Sequence, residues 1–201
     1  MRVAAAVLAA GHGARLAGDV PKPLTLLRDR PLVVWALDAV RASELSPVVL
    51  VVGRKGNRVA EAAPAAVMVV HAAHWHEGIA LSLRAALDAI EPYAEVDAVC
   101  IGLADQPLVG PEAYRRLVAA REAGATLAVA TYDGVRQNPV LLGRELWDEA
   151  RALRGDVGAR ALMDAHESTE VDCTGTGSPV DVDTIEDLDA LEDMLRRQNE
   201  G

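Results

Sequence analysis

Phenylalanine is absent from this 201-residue chain, and tryptophan and tyrosine supply only three residues each. The chain is nevertheless 51% hydrophobic, most of it alanine, valine and leucine. An interior built from small aliphatics favours helices packed on a valine-rich sheet over an aromatic-rich β-sandwich. Cysteine is equally scarce. Cys100 and Cys173 form no CxxC pair and no cysteine–histidine cluster at zinc spacing, which argues against a disulfide framework and fits a cytoplasmic location. Basic residues are outnumbered 20 to 30, for a formal net charge of -10. Such a balance opposes non-specific binding to nucleic acid or an anionic membrane, both of which need basic patches. It leaves room for a small anionic ligand, because a few placed cations or a metal reverse the local field. The first apolar run, "VAAAVLAAG", is too short to span a bilayer and ends in a glycine- and arginine-bearing loop, so it is expected to be a buried strand.

The length suits one domain, expected over residues 1–201, with no repeat, low-complexity stretch or linker. Strand and helix signals alternate throughout. Continuous apolar runs at "RVAAAVLAA", "PVVLVVG", "AVMVVH", "VDAVCIGL" and "ATLAVATY" predict strands buried on both faces. Between them, "PLVVWALDAVRAS", "HWHEGIALSLRAALDAI" and "PEAYRRLVAAREAG" carry helical periodicity, two of them with proline near the start. Residues 133–158 are richer in Gly, Asn and Asp, with a short strand "PVLL" and a helix "RELWDEARAL" expected inside. "STEVDCTG" and "PVDVDT" read as short late strands. In the last helix, Thr184 is the expected N-cap with Asp187 three residues on. The alternation predicts an α/β fold: three αβα layers around a Rossmann-like, mostly parallel sheet. Ligands of such sheets sit at the carboxyl ends of the strands.

The first of those ends carries "LAAGHGARLAGDVPKPL", Leu8 to Leu24. A dinucleotide fingerprint requires a third glycine where Leu16 stands. A Walker P-loop requires Lys and Ser/Thr where Asp19 and Val20 follow Gly18. A dehydrogenase is thereby disfavoured. What remains is either a glycine-rich surface turn with two solvated cations, or a long loop that wraps a triphosphate with backbone N–H groups, Arg15 and Lys22.

This stretch resembles the LAAGxGxR(M/L)G…PK…L signature of nucleotidyltransferases that share a GlmU/MobA-like fold. "HWHEGIALSLRAAL", "LADQPLV", "NPVLLG" with "GDVGARAL", and "VDVDTIEDL" resemble, in order, segments of the molybdenum-cofactor branch. The chain is thus most similar to MocA-type cytidylyltransferases and their MobA-related relatives. The resemblance implies that Leu8, Ala9, Ala10, Gly11, Gly13, Arg15 and Lys22 hold the nucleotide phosphates, with Gly78 and Ser82 toward base and ribose. It further implies that Asn138, Pro139, Gly155, Asp156 and Gly158 face the acceptor. Two positions depart from the family pattern. Asn138 replaces a frequent His, and Ala72 replaces a frequent Asn three residues before Trp75.

The residue types suit the chemistry. A phosphate oxygen attacks the α-phosphorus of a nucleoside triphosphate and pyrophosphate leaves. The attacking phosphate is largely ionised near neutral pH, so positioning and charge neutralisation matter more than a general base. Arg15 and Lys22 are the expected catalytic cations, with Asp105 just past the fourth long strand. Mg²⁺ typically uses one or two carboxylates plus phosphate oxygens. Asp105 is expected to bind it with Asp183, or secondarily Asp181, on the same face of the "VDVDT" strand. His71, His74 and His76 lack an accompanying Cys or HExxH frame, so zinc is not expected there. The implied reaction moves CMP from CTP to the terminal phosphate of molybdopterin cofactor, with a client molybdoenzyme as a further partner. Alternatives are the same chemistry with GTP, or on a sugar-phosphate or phospholactate-type acceptor. A non-catalytic nucleotide- or cofactor-binding partner of a molybdoenzyme is the alternative of another class.

Overall fold

The computed structural model describes residues 1–11 and 20–200, the side chains of 198–200 excepted. Gly13 and Arg15 lie outside the described residues. The strands are β1 (Arg2–Ala9), β2 (Leu26–Leu27), β3 (Arg30–Pro31), β4 (Val48–Val52), β5 (Met68–His71), β6 (Val96–Leu103), β7 (Leu127–Tyr132), β8 (Val135–Gly143) and β9 (Thr169–Asp172). The α-helices are α1 (Leu32–Ala42), α2 (Gly56–Ala60), α3 (Ile79–Ile90), α4 (Pro111–Glu122), α5 (Trp147–Ala152) and α6 (Ile185–Glu200). β2 and β3 form a separate two-stranded ribbon, and the other seven strands form one sheet ordered β5-β4-β1-β6-β8-β7-β9. β5, β4, β1 and β6 run parallel, β8 runs against both β6 and β7, and β9 is parallel to β7. The α/β, mostly parallel arrangement matches the expectation.

β1 shows why the sheet is covered on both faces. Successive strand side chains point to opposite faces, and β1 carries apolar residues on each. Val3, Ala5, Val7 and Ala9 pack with Val33, Leu37 and Val40 of α1 and Tyr114 and Leu117 of α4. Ala4, Ala6 and Leu8 pack with Leu83, Leu87 and Ile90 of α3 and Trp147 of α5. Small side chains on the central strand let both helical layers approach closely, which is where the aromatic-poor composition is used. A third small core, Leu27, Leu32, Val182 and Leu191, seats α6 against the ribbon.

The structure departs from the sequence expectation in three places. "PVLL" is the end of a nine-residue strand, β8. It follows β7 through Asp133-Gly134, both at positive φ (50° and 78°), with Tyr132 paired to Val135. That is the two-residue Asp-Gly connection that matches strand twist. "HWHEG" is not the first part of α3. Trp75–Glu77 form a 3-10 turn, and Gly78 at φ 120° interrupts the chain before the helix. "PVDVDT" belongs to no strand of the sheet, because its partner is a loop.

Candidate functional site

That loop follows β6. Val182 N donates to the Asp105 carbonyl at 2.8 Å, Ser178 N donates to the Leu108 carbonyl at 2.8 Å, and Gln106 Nε2 reaches the Pro179 carbonyl at 2.9 Å. Val109 and Gly177 form an antiparallel bridge. The contact is close enough that a Cβ on Gly110 would lie 1.9 Å from the Thr176 carbonyl oxygen, and one on Gly177 would lie 2.2 Å from that of Leu108. Glycine at both places therefore lets two loops zip together. The zip carries Asp181 and Asp183 to Asp105. Val182 is buried between them, and both aspartates stay exposed on either side of it although no strand ladder holds them.

Lys22 meets them from the other end of the chain. It opens the 3-10 turn Lys22–Leu24, flanked by Pro21 and Pro23. Its Nζ donates to Asp105 Oδ2 at 2.5 Å and to Asp183 Oδ1 at 2.7 Å, and its side chain is 10% exposed. Burial alone would lower the ammonium's pKa. The adjacent Asp105 carboxylate, then Asp183, outweigh that and hold it above its ordinary value. The pKa of Asp181 is raised as well, which for a carboxyl disfavours the charged form. The residue keeps solvent on one side, but lost hydration toward the cluster, then the charge of Asp105, produce the shift. Asp183 is steadied from behind. Thr184 and Asp187 form a capping box at the start of α6: the amides of Asp183 and Thr184 donate to Asp187 Oδ2, and Asp187 N donates to Thr184 Oγ1. The sequence had indicated this cap.

Two cavities open beside the cluster, at the carboxyl ends of β1 and β6. The first, of about 340 Å³, is lined by Leu8, Ala10, Gly11, Trp75, Gly78, Ile79, Ser82, Leu103, Asp105 and Asp156. The second, of about 150 Å³, shares Leu8, Ile79, Leu103 and Asp156 with it and adds Asn138, Val140, Gly158 and Arg160 among others. The cleft is thus bipartite, with the acidic cluster at the end of the larger half. Its two sides are clamped by backbone. A Cβ on Gly78 would sit 2.1 Å from Gly155 C and 2.2 Å from its oxygen, and Ala80 N donates to that same carbonyl at 3.2 Å.

A family model described as the MobA-like NTP transferase domain matches residues 5–170. The chain belongs to this family. It is 32% identical over 155 residues to the bifunctional protein GlmU of Desulfitobacterium hafniense (strain DSM 10664 / DCB-2), covering 75% of this chain and 32% of that protein. The chain spans about a third of the length of the curated relatives it matches. Among solved structures, Rv0371c from Mycobacterium tuberculosis H37Rv superposes with a TM-score of 0.83 at 30% identity, over 96% of this chain and 98% of that one. A manganese complex of Rv0371c superposes with a TM-score of 0.78 at 28% identity, over 96% and 99%.

In this MobA-like domain the residues expected around the nucleotide mostly converge. Leu8, Ala10, Gly11, Gly78, Ser82 and Asp105 line the larger cavity. Ala9 does not; its side chain turns into the opposite core, so only its backbone is near the cleft. Of the residues expected around the acceptor, Asn138, Asp156 and Gly158 line the smaller cavity, while Gly155 holds the clamp. Pro139 lines neither cavity. Asn138 and Pro139 fall where the β7–β8 register shifts, between the pairs Ala130–Gln137 and Val129–Val140. A bulge tolerates proline and re-aims its neighbour, here Asn138 toward the cleft. Of the lining residues that sequence reasoning left out, all but Trp75 and Arg160 are aliphatic. Both lie inside segments already singled out, one residue type suited to stacking and the other to phosphate. Among the described residues no helix is long and apolar enough to cross a membrane.

Proposed function

We propose that this chain is a Mg²⁺-dependent nucleotidyltransferase that moves CMP from CTP to the terminal phosphate of molybdopterin cofactor and releases pyrophosphate. The observation that carries the proposal is the Lys22–Asp105–Asp183 cluster at the end of the larger of two adjoining cavities. The larger cavity has the volume and the mixed apolar and polar lining of a small-molecule site, and we assign it to the nucleotide. Trp75 and Leu8 form apolar walls for the base side. The smaller cavity is assigned to the acceptor, with Arg160 offering a fork for its phosphate and Asn138 a hydrogen bond.

The donor set fits a hard divalent cation. Asp105 and Asp183 already share one positively charged group, and Mg²⁺ takes one or two carboxylates with phosphate oxygens completing its shell. When bound, the ion would neutralise charge on the α-phosphate and the departing pyrophosphate. Lys22 stands where it can transfer one or both of its hydrogen bonds from carboxylate to phosphate oxygen. Arg15, outside the described residues, is assigned to the triphosphate by the motif alone. An acceptor phosphate oxygen in the smaller cavity attacks the α-phosphorus from the face opposite the leaving group. Asp156, common to both cavities, lies at that boundary.

The preference for CTP over GTP rests on the "LAAG" form of the first motif. The acceptor preference rests on "NPV" and "GDVGAR", with Asn138 in place of the family's frequent His. The same chemistry on a sugar phosphate or phospholactate-type acid is the second assignment, and a client molybdoenzyme in the cytoplasm would receive the product. Pyrophosphate release is to be measured with ATP, CTP, GTP and UTP, each with purified molybdopterin cofactor and with sugar phosphates. CTP- and molybdopterin-dependent release is expected. Release with GTP or only with sugar phosphate would move the substrate assignment. No release with any pair would make the chain a binding partner without turnover.

A further inference from the structure

The histidines of "HWHEG" found no use in the transfer reaction. The structure separates them. His71 ends β5 and lies against Gly56, where an added Cβ would be 2.9 Å from its Nδ1. His74 and His76 instead gather with Glu77. One ligating atom from each of these three lies within 4.8 Å of the others. Among the described residues, His74 Nδ1 and Glu77 Oε1 are already 3.3 Å apart. Two ligands held at about 2.0–2.1 Å on a tetrahedral zinc are separated by roughly that distance.

We infer that His74, His76 and Glu77 form a binding site for a borderline transition-metal ion, zinc above all, on the rim of the cleft. Two imidazoles and a carboxylate select Zn²⁺ or a neighbouring first-row ion, and leave a fourth position open to water. The Asp105 cluster is all oxygen and suits Mg²⁺ or Mn²⁺, so the two sites differ in kind. The side chains of His74 and Glu77 are 69% and 58% exposed, so small rotations complete the geometry without repacking.

The backbone beneath is held in place. His74 and His76 flank Trp75, whose ring is turned inward. An added Cβ on Gly53 would meet Trp75 Cγ at 2.8 Å, and the Trp75 and His76 rings meet edge to face at 5.9 Å. Glu77 is followed directly by Gly78 of the backbone clamp. An ion tying His74 to His76 and Glu77 therefore stiffens the turn whose first residue, Trp75, walls the larger cavity. Zinc binding stands whatever reaction the cleft performs.

The test is isothermal titration of tag-free, chelator-treated protein with Zn²⁺ alone, in the presence of millimolar Mg²⁺. One ion per chain is expected. Loss of a direct ligand is expected to weaken binding by at least the roughly 10–100-fold seen for outer-shell changes, in His74→Ala, His76→Ala and Glu77→Gln alike. Asp105→Asn should bind zinc as the parent does. Zinc should also change the tryptophan emission of the parent, and not that of Trp75→Phe. Circular dichroism confirms that each variant is folded. Unchanged zinc affinity in the His74→Ala/His76→Ala double variant, or loss of zinc binding in Asp105→Asn, overturns the site. A zinc-induced emission change that survives in Trp75→Phe overturns the coupling to the cavity wall.

Discussion

Gly78→Ala tests the clamp that joins the two halves of the cleft. Gly78 adopts φ 120° and ψ 171°, a region that is essentially glycine-only and costs other residues about 1–3 kcal/mol. The new methyl would also stand 2.1 Å from Gly155 C, 2.2 Å from Gly155 O and 2.6 Å from Asp156 N. Carbon contacts settle at about 3.5–4.0 Å, so the 155–156 backbone has to retreat by more than an ångström. Overpacking of that kind adds about 1–3 kcal/mol. A combined cost near 4 kcal/mol corresponds to a fall in Tm of about 8–16 °C for a chain of this size. Gly155→Ala is the control. Gly155 also has positive φ, 67°, but nothing lies within 4 Å of its added Cβ, so only a backbone cost of about 1–2 kcal/mol applies. Thermal melts followed by circular dichroism should rank the parent above Gly155→Ala and Gly155→Ala well above Gly78→Ala. Asp156 lines both cavities, so Gly78→Ala should also raise KM for both substrates together. Equal losses of Tm in the two variants would refute the clamp.

Two further predictions concern the acidic cluster. Asp105→Asn should abolish pyrophosphate release while leaving a cooperative melt, because Lys22 keeps Asp183 as a partner; turnover near the parent's would remove Asp105 from the metal assignment. Asp181→Asn should stabilise the metal-free protein at neutral pH. The Asp181 carboxyl has a raised pKa when folded, so the native state holds its proton more tightly than the unfolded chain. Stability is then lost as pH rises from the ordinary value of 3.8 through the folded value. The variant escapes that loss, so its advantage in Tm should be present at pH 7 and vanish in acid below the ordinary value. An advantage that persists unchanged in acid would assign it to packing instead.

The parts of this fold that the sequence made legible are those with one dominant physical signal. β1 is an uninterrupted apolar run, and only a strand covered on both faces uses one. Thr184 and Asp187 are spaced as a capping box and form one. Asp105 stands at the end of a long buried strand, where ligands of parallel sheets collect. The parts that were missed depend on partners far along the chain. Asp133-Gly134 is a hairpin signal in its own right, and "VRQNPVLLG" beyond it is polar at first and interrupted by proline, which hid the length of β8. The bulge at Asn138-Pro139 explains the proline. "VDVDT" has strand alternation without being a strand, because its hydrogen bonds go to the loop after β6. Trp75 and Arg160 become visible as cleft residues only when β4, α3 and the segment after α5 come together.

The reversed strand gives the cleft two walls of unequal stiffness. Asn138 sits at the bulge of β8, two residues before Val140, which pairs with Ile101 of β6 on one side and Val129 of β7 on the other. Leu8 and Leu103 also lie in strands and Ile79 and Ser82 in α3, whereas Gly11, Trp75, Gly78 and Asp156 are carried on connections. The cleft is built like a vice, with one jaw bolted to the sheet and the other carried on loops. Any tightening around bound substrates must be one-sided. Liganded and free forms should superpose on β6, β7 and β8, and differ only in the loop-borne jaw.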